Sequence, residues 1–155
     1  MERDQLVAIF AVIHVGAGFV YVAGYVGTAV LTEIARRTDD PTTRRAAIDF
    51  SGRFDRVLVR VPGTVTGVAG LALTAAAGHP WTSAWVVAAT IGFALVIGVG
   101  IVFWGRIGGA IEGALAAGDD AEVLRLLREP RFVAVSRVEN LALAAVIVLM
   151  VLRPG

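Results

Sequence analysis

The stretch LVAIFAVIHVGAGFVYVAGYVGTAVLT, residues 6–32, decides the fold because it contains no Asp, Glu, Lys or Arg. A helix needs roughly 20 apolar residues to cross about 30 Å of hydrocarbon, so this stretch is long enough for one crossing. Residues 61–105 are also free of these charged residues and are long enough for two crossings. The turn Gly78-His79-Pro80-Trp81 divides them. A fourth crossing must begin near Arg131, because only residues 141–152 are free of polar side chains.

The composition indicates a membrane protein, since 57% of the 155 residues are hydrophobic and 17% are charged. The sequence therefore predicts an all-α fold, a four-helix transmembrane bundle that forms one domain over residues 1–155. The expected crossings are at about 6–32, 57–77, 83–105 and 132–152. The net charge of +1 offers no footprint for nucleic acid, so the expected partner is the lipid bilayer.

The arginines predict the orientation in the membrane. Every basic residue is an arginine, and most lie between crossings one and two or between crossings three and four. The positive-inside rule makes these two loops cytoplasmic and places both termini outside. The N-terminus has no basic excess and no small-residue cleavage site follows the apolar run, so the first crossing is expected to be a retained anchor.

Two acidic caps predict helix starts in the loops. Asp40 followed by Pro41 should begin the second helix, which is then expected to kink near Pro62. Asp119 should cap a short cytoplasmic helix that ends before Pro130. This helix contains Leu124, Leu126 and Leu127 and is expected to be amphipathic. The segment is expected to rest on the inner leaflet.

Two pairs of glycines have the spacing that lets membrane helices approach closely. Gly63 and Gly67 form one pair, and Gly105 and Gly109 form the other. We expect both pairs to lie at helix contacts. The pair Gly63 and Gly67 is also the expected contact of a homo-oligomer.

His14 is the candidate functional residue. It lies about 12 Å below the outer end of the first helix, and it shares one helix face with Gly18, Tyr21, Tyr25 and Thr28. Gly18 would leave room for a flat ligand such as a porphyrin. An ionisable side chain at this depth suggests function, and a neutral imidazole suits either a haem iron or a copper ion.

A structural interpretation of His14 stays open beside the functional one. The imidazole can instead form a hydrogen bond across the bundle to Thr66, Thr74 or Thr90. Met150 is a weaker candidate ligand, because a methionine in a membrane helix usually fills space. No catalytic residue is assigned, because the sequence has no cysteine and no serine with a depth-matched histidine.

A second polar cluster is expected at the cytoplasmic end. Arg56 and Arg60 share a face of the second helix. Three polar residues of the fourth helix lie at a similar depth, namely Arg137, Glu139 and Asn140. Glu139 is expected to pair with Arg60 or Arg56, because a buried carboxylate needs a partner. The alternative is an anion site formed by the arginines.

Several short motifs carry a resemblance to a broad group of bacterial four-helix membrane proteins. They are His14 with Ala23-Gly24, Pro62 with Gly70-Leu71, Arg137-Val-Glu-Asn140, and Met150-Val-Leu-Arg153-Pro154. The chain resembles most an uncharacterised family of predicted integral membrane proteins. It is more distantly similar to HemJ-type protoporphyrinogen oxidases and to CopD copper-resistance proteins.

The resemblance implies a four-helix bundle in the bacterial inner membrane in which His14 holds haem b. It extends to this ligand and not to oxidase activity, since the chain has no lysine and no His or Arg in residues 25–31. Two hypotheses follow. One is a haem-binding or redox-linked protein that uses His14, Gly18, Tyr21 and Tyr25. The other is a non-catalytic structural or small transport component.

Overall fold

The computed structural model describes residues 2–152, and the regular structure in that range is entirely helical. Four helices are long and apolar enough to cross a membrane, which confirms the all-α prediction with four crossings. The chain divides into two compact units, Met1–Trp81 and Thr82–Gly155. The motif Arg153-Pro154 lies outside the described residues.

The first unit is a pair of long helices, α1 (Arg3–Arg37) and α2 (Pro41–Ala77). The Asp40 carboxylate accepts hydrogen bonds from the backbone N–H groups of Thr42 and Thr43 at 3.3 and 2.9 Å, and Pro41 is the first residue of α2. This geometry confirms the predicted start of the second helix. The buried Arg44 guanidinium donates to the Thr38 carbonyl at 2.9 Å, and so it fixes the end of α1 against the start of α2.

A π-helical segment, Asp55–Arg60, interrupts α2 before Pro62. Proline has no N–H to donate, and its ring crowds the carbonyl four residues earlier, which belongs to Leu58. The wider turns of a π-helix accommodate this conflict. The irregularity that was expected near Pro62 therefore precedes it, and it brings the Leu58 backbone close to Gly24 of α1.

The C-terminal end of α2 is formed by a glycine in the left-handed conformation, and an arginine of α1 binds to it. Gly78 ends α2 with φ at 67°, a conformation that strongly favours glycine. The Arg3 Nε donates to the Ala76 carbonyl at 2.9 Å. A cation is favourable there because the last carbonyls of a helix carry partial negative charge.

The second unit contains α3 (Ala84–Ala117), α4 (Asp120–Arg128) and α5 (Pro130–Leu152). Helix α3 includes a π-helical segment, Gly100–Trp104, and continues well beyond the predicted end near residue 105. It continues because residues 105–117 still bury an apolar face with Ile111 and Ala114. It stops at Gly118, which has φ at 70°.

Helix α4 is the short helix that the sequence predicted between the third and fourth crossings. Asp119 caps it by accepting from the Glu122 N–H at 3.0 Å. Three of its apolar side chains are covered by protein, namely Val123, Leu126 and Leu127. The expectation that this segment rests on the inner leaflet stays a prediction. On the exposed face of α4, Arg125 donates to Glu122 and holds the pKa of that carboxyl below its ordinary value.

The two glycine pairs differ in what they contact. A Cβ at Gly63 would lie 3.0 Å from the Tyr21 ring, so α1 and α2 approach closely there. Within the second unit as described, no atom of a neighbouring helix comes within 4 Å of a Cβ at Gly105 or Gly109. The helix contact expected for that pair stays a prediction. The contact of Gly63 lies within one chain, and the homo-oligomer through Gly63 and Gly67 stays a prediction.

Candidate functional site around His14

The hydrogen bond of His14 fixes which of its two nitrogens is available. Nδ1 lies 2.8 Å from the backbone carbonyl oxygen of Thr66 in α2. A carbonyl oxygen can only accept, so Nδ1 carries the proton in the neutral ring and Nε2 is left with its lone pair. Within the described part of the chain Nε2 has no hydrogen-bond partner, and the side chain is half-buried. Nε2 is therefore the nitrogen that can bind a ligand.

Gly70 of α2, and not Gly18, makes room for the imidazole. A Cβ at Gly70 would lie 2.9 Å from both Cε1 and Nδ1 of His14, which is too close for a side chain. A Cβ at Gly18 would meet the methyl group of Thr66 at 3.7 Å, which is ordinary van der Waals contact. Gly18 therefore lies in ordinary contact with Thr66 of α2, and the room that was expected there for a flat ligand stays a prediction.

The two tyrosines continue the same face of α1. Tyr21 is buried over Gly63, and the rings of Tyr21 and Tyr25 have centroids 6.2 Å apart. His14, Tyr21 and Gly24 all contact α2, so this face lies against protein. The roles of Gly18, Tyr21 and Tyr25 in binding a cofactor stay predictions.

The close fit of the His14 ring against Gly70, which we call the Gly70 notch, yields a prediction with a matched control. Gly70→Ala should push the imidazole out of its place and break the bond to Thr66, lowering the free energy of unfolding by about 1–3 kcal/mol. Gly18→Ala makes the same chemical change on the facing helix but creates no overlap, so it should be neutral or stabilising. Denaturant unfolding in detergent compares the two variants. Equal stability would show that the notch does not hold the ring.

The donor set around His14 suits a haem better than a bare metal ion. Residues 2–152 contain no cluster of three or more His, Cys, Asp or Glu side chains that could hold a metal ion. Copper binding by His14 stays a prediction. A porphyrin supplies four nitrogens of its own and needs only axial ligands from the protein, for which one imidazole with a free Nε2 is sufficient.

The second polar cluster contains partners that the sequence did not predict. Arg60 Nε donates to Asp55 Oδ2 at 2.7 Å, and both belong to the π-helical segment of α2. In the second unit Glu139 is 6% exposed and accepts from Trp104 Nε1 at 2.6 Å. The pairing of Glu139 with Arg60 or Arg56 stays a prediction. The other members of the expected cluster are exposed on α5, namely Arg137 and Asn140.

Trp104 is the residue that the sequence interpretation missed. Its ring packs edge-on against Phe132 with centroids 5.0 Å apart, which directs the indole N–H at the Glu139 carboxyl. An indole at membrane depth needs a hydrogen-bond acceptor, and the buried Glu139 needs a donor. This reciprocal need of the two side chains was the signal available in the sequence.

The comparisons with known proteins agree with the membrane fold. A family model described as "Predicted integral membrane protein (DUF2269)" matches residues 8–154. No curated protein and no solved structure matches the chain. The match confirms the resemblance to an uncharacterised family of integral membrane proteins. The more distant resemblance to HemJ-type and CopD proteins stays a prediction.

Proposed function

The chain belongs to the DUF2269 family of predicted integral membrane proteins, and we propose that it binds haem b through the Nε2 nitrogen of His14. The observation that carries this proposal is the hydrogen bond from His14 Nδ1 to the Thr66 carbonyl at 2.8 Å. A ligating histidine commonly donates its other ring N–H to a backbone carbonyl, which fixes the ring and raises the basicity of the free nitrogen.

The chain's own residues define how the haem would be held. The sequence has no cysteine, so the group is held without the thioether bonds of a c-type haem. His14 provides the axial nitrogen, and Gly18, Tyr21 and Tyr25 lie on the same face of α1. A bound haem would supply one-electron chemistry.

A structural role is the second candidate, and the notch at Gly70 favours it. The imidazole fits against a glycine of the facing helix and bonds to that helix's backbone, which explains His14 as a link between α1 and α2. In this case the protein is a non-catalytic structural or transport component of the membrane. Both roles use the Nδ1 hydrogen bond, and only the first uses Nε2.

Substitutions that separate the two nitrogens distinguish these functions. His14→Asn keeps an amide N–H donor at the position of Nδ1 and removes Nε2. His14→Ala removes both. After reconstitution with haem, we expect the unchanged protein to show a Soret band, and His14→Asn to lose it while retaining most of its stability. His79→Asn, which changes the other histidine, should keep the band.

Two outcomes decide the matter. A Soret band that survives in His14→Asn contradicts ligation by Nε2. A protein that takes up no haem, and that loses stability in His14→Ala but not in His14→Asn, supports the structural role instead.

The proposal includes a location in the bacterial inner membrane with both termini outside. Its support is the distribution of the arginines, which concentrate between α1 and the middle of α2 and again between the end of α3 and the start of α5. By the positive-inside rule these two segments lie in the cytoplasm. His14 would then lie in the outer half of the membrane.

A further inference from the structure

The hydroxyl group of Thr28 is buried without a hydrogen-bond partner. Its Oγ1 is shielded from solvent, and no residue in the described part of the chain donates to it or accepts from it. Threonines within helices usually bond to the carbonyl four residues earlier. Three threonines of α2 do so at 2.8–2.9 Å, namely Thr64, Thr66 and Thr74. Thr28 does not make the equivalent bond to Gly24.

Thr28 lies in the middle of a line of polar groups between α1 and α2, which we call the seam. On one side, Thr32 Oγ1 lies 3.3 Å from Ser51 Oγ of α2. On the other side are Tyr25 and Tyr21, whose rings contact each other. The α1 members of the seam are each about one helical turn from the next, and Thr28 is the one whose hydroxyl group is buried without a hydrogen-bond partner in the described residues.

We propose that Thr28 binds a water molecule in the seam. A buried hydroxyl without a partner is costly, and in native proteins such a group is usually satisfied by an ordered water. The Thr28 hydroxyl and the second lone pair of the Gly24 carbonyl, which Thr28 leaves unused, offer the donor and the acceptor that a bound water requires. The ligand is water because the neighbouring hydroxyl groups are neutral and can both donate and accept.

The bound water connects the pair Thr32 and Ser51 to the tyrosines. Residues 21–32 span about 17 Å at 1.5 Å per residue, which is a little more than half the thickness of the hydrocarbon core of about 30 Å. The seam with its water therefore carries polar groups through about half of that thickness. This site does not depend on haem, because it involves neither nitrogen of His14.

The sign of the stability change in Thr28→Val tests the proposal. Valine has the shape of threonine without the hydroxyl group. If Thr28 binds water, the substitution loses a hydrogen bond, and the equilibrium constant for unfolding should rise by about five- to tenfold. If the hydroxyl is simply unsatisfied, the same substitution removes a buried polar group and should stabilise the protein.

Hydroxyl-radical labelling provides a second measurement, because radicals formed from bound water oxidise the side chains beside it. The chain has only two tyrosines, so the signal is unambiguous. Tyr25 should be labelled in the unchanged protein and in Thr28→Ser, and its labelling should fall in Thr28→Val. Thr66→Val is the matched control, since that hydroxyl already bonds to Pro62, and it should leave the labelling unchanged.

Stabilisation by Thr28→Val, or equal Tyr25 labelling in the valine and serine variants, would overturn the water site. Both measurements are made on the full chain without added haem. Their failure would therefore leave the Soret test of His14 unaffected.

Discussion

Gly24→Ala is expected to lower the free energy of unfolding by about 3 kcal/mol or more, at the upper end of the range for overpacked cores. A Cβ at this position would overlap the Cβ of Leu58 and would lie 2.8 Å from the Leu58 backbone carbon and oxygen. A side chain could rotate away from such an overlap, but a helix backbone cannot. The two helices of the first unit would have to separate where the π-helical segment approaches α1.

Two glycines of the same helix provide graded controls. A Cβ at Gly27 would overlap only the Phe54 ring, at 2.7 Å, which can move, so Gly27→Ala should cost less than Gly24→Ala. Gly16 has no neighbour within 4 Å in the described structure, and Gly16→Ala should stabilise the helix by about 0.5–1 kcal/mol. Thermal and denaturant unfolding in detergent give the order of stability of the three variants. A Gly24 variant as stable as the Gly16 variant would contradict the close approach.

Trp104→Phe is the second substitution with a large expected effect. It removes the indole N–H that Glu139 accepts at 2.6 Å but keeps an aromatic ring against Phe132. Losing a donor to a buried carboxyl should cost about 1–3 kcal/mol, in addition to the cost of the smaller ring. The unfolding free energy of the variant in detergent or bicelles measures the sum.

A double-mutant cycle separates the hydrogen bond from the change in ring size. Methionine has a side chain of similar length to glutamate and no carboxyl. In the background of Glu139→Met, Trp104→Phe should therefore lower the free energy of unfolding only by the amount due to the smaller ring. The difference between the two backgrounds is expected to be about 1–3 kcal/mol. A coupling near zero would mean that Trp104 and Glu139 contribute independently.

The crossings and caps could be predicted because each depends on a few neighbouring residues. The charge-free run of residues 6–32 predicted α1, and Asp40 with Pro41 predicted the first turn of α2. The cap at Asp119 was predicted in the same way. In each case the responsible interaction spans no more than one helical turn, so the sequence pattern contains it.

The close contacts of α1 could not be predicted, because they depend on the relative depth of two helices. No sequence pattern decides whether Gly18 or Gly70 lies against the His14 ring, since that choice depends on how far α2 is shifted along α1. The π-helical segment Asp55–Arg60 adds to this difficulty. It changes the rotation of every later residue of α2, and Pro62 predicts an irregularity without specifying the size of that rotation.

The end of α3 shows a related limit to predicting helix ends from hydropathy. The charge-free run stops at Gly105, yet the helix continues to Ala117 because its next turns bury Ile111 and Ala114 against protein. Hydropathy reports contact with lipid, whereas these turns are held by tertiary packing.

The division of the chain after Trp81 has a consequence for the order of events during synthesis. His14, its carbonyl acceptor Thr66 and its glycine notch Gly70 all belong to the first unit. A ribosome releases the N-terminal part of a chain first, and such parts commonly fold before the remainder is made. The His14 site can therefore be assembled in the bilayer while residues 82–155 are still being translated.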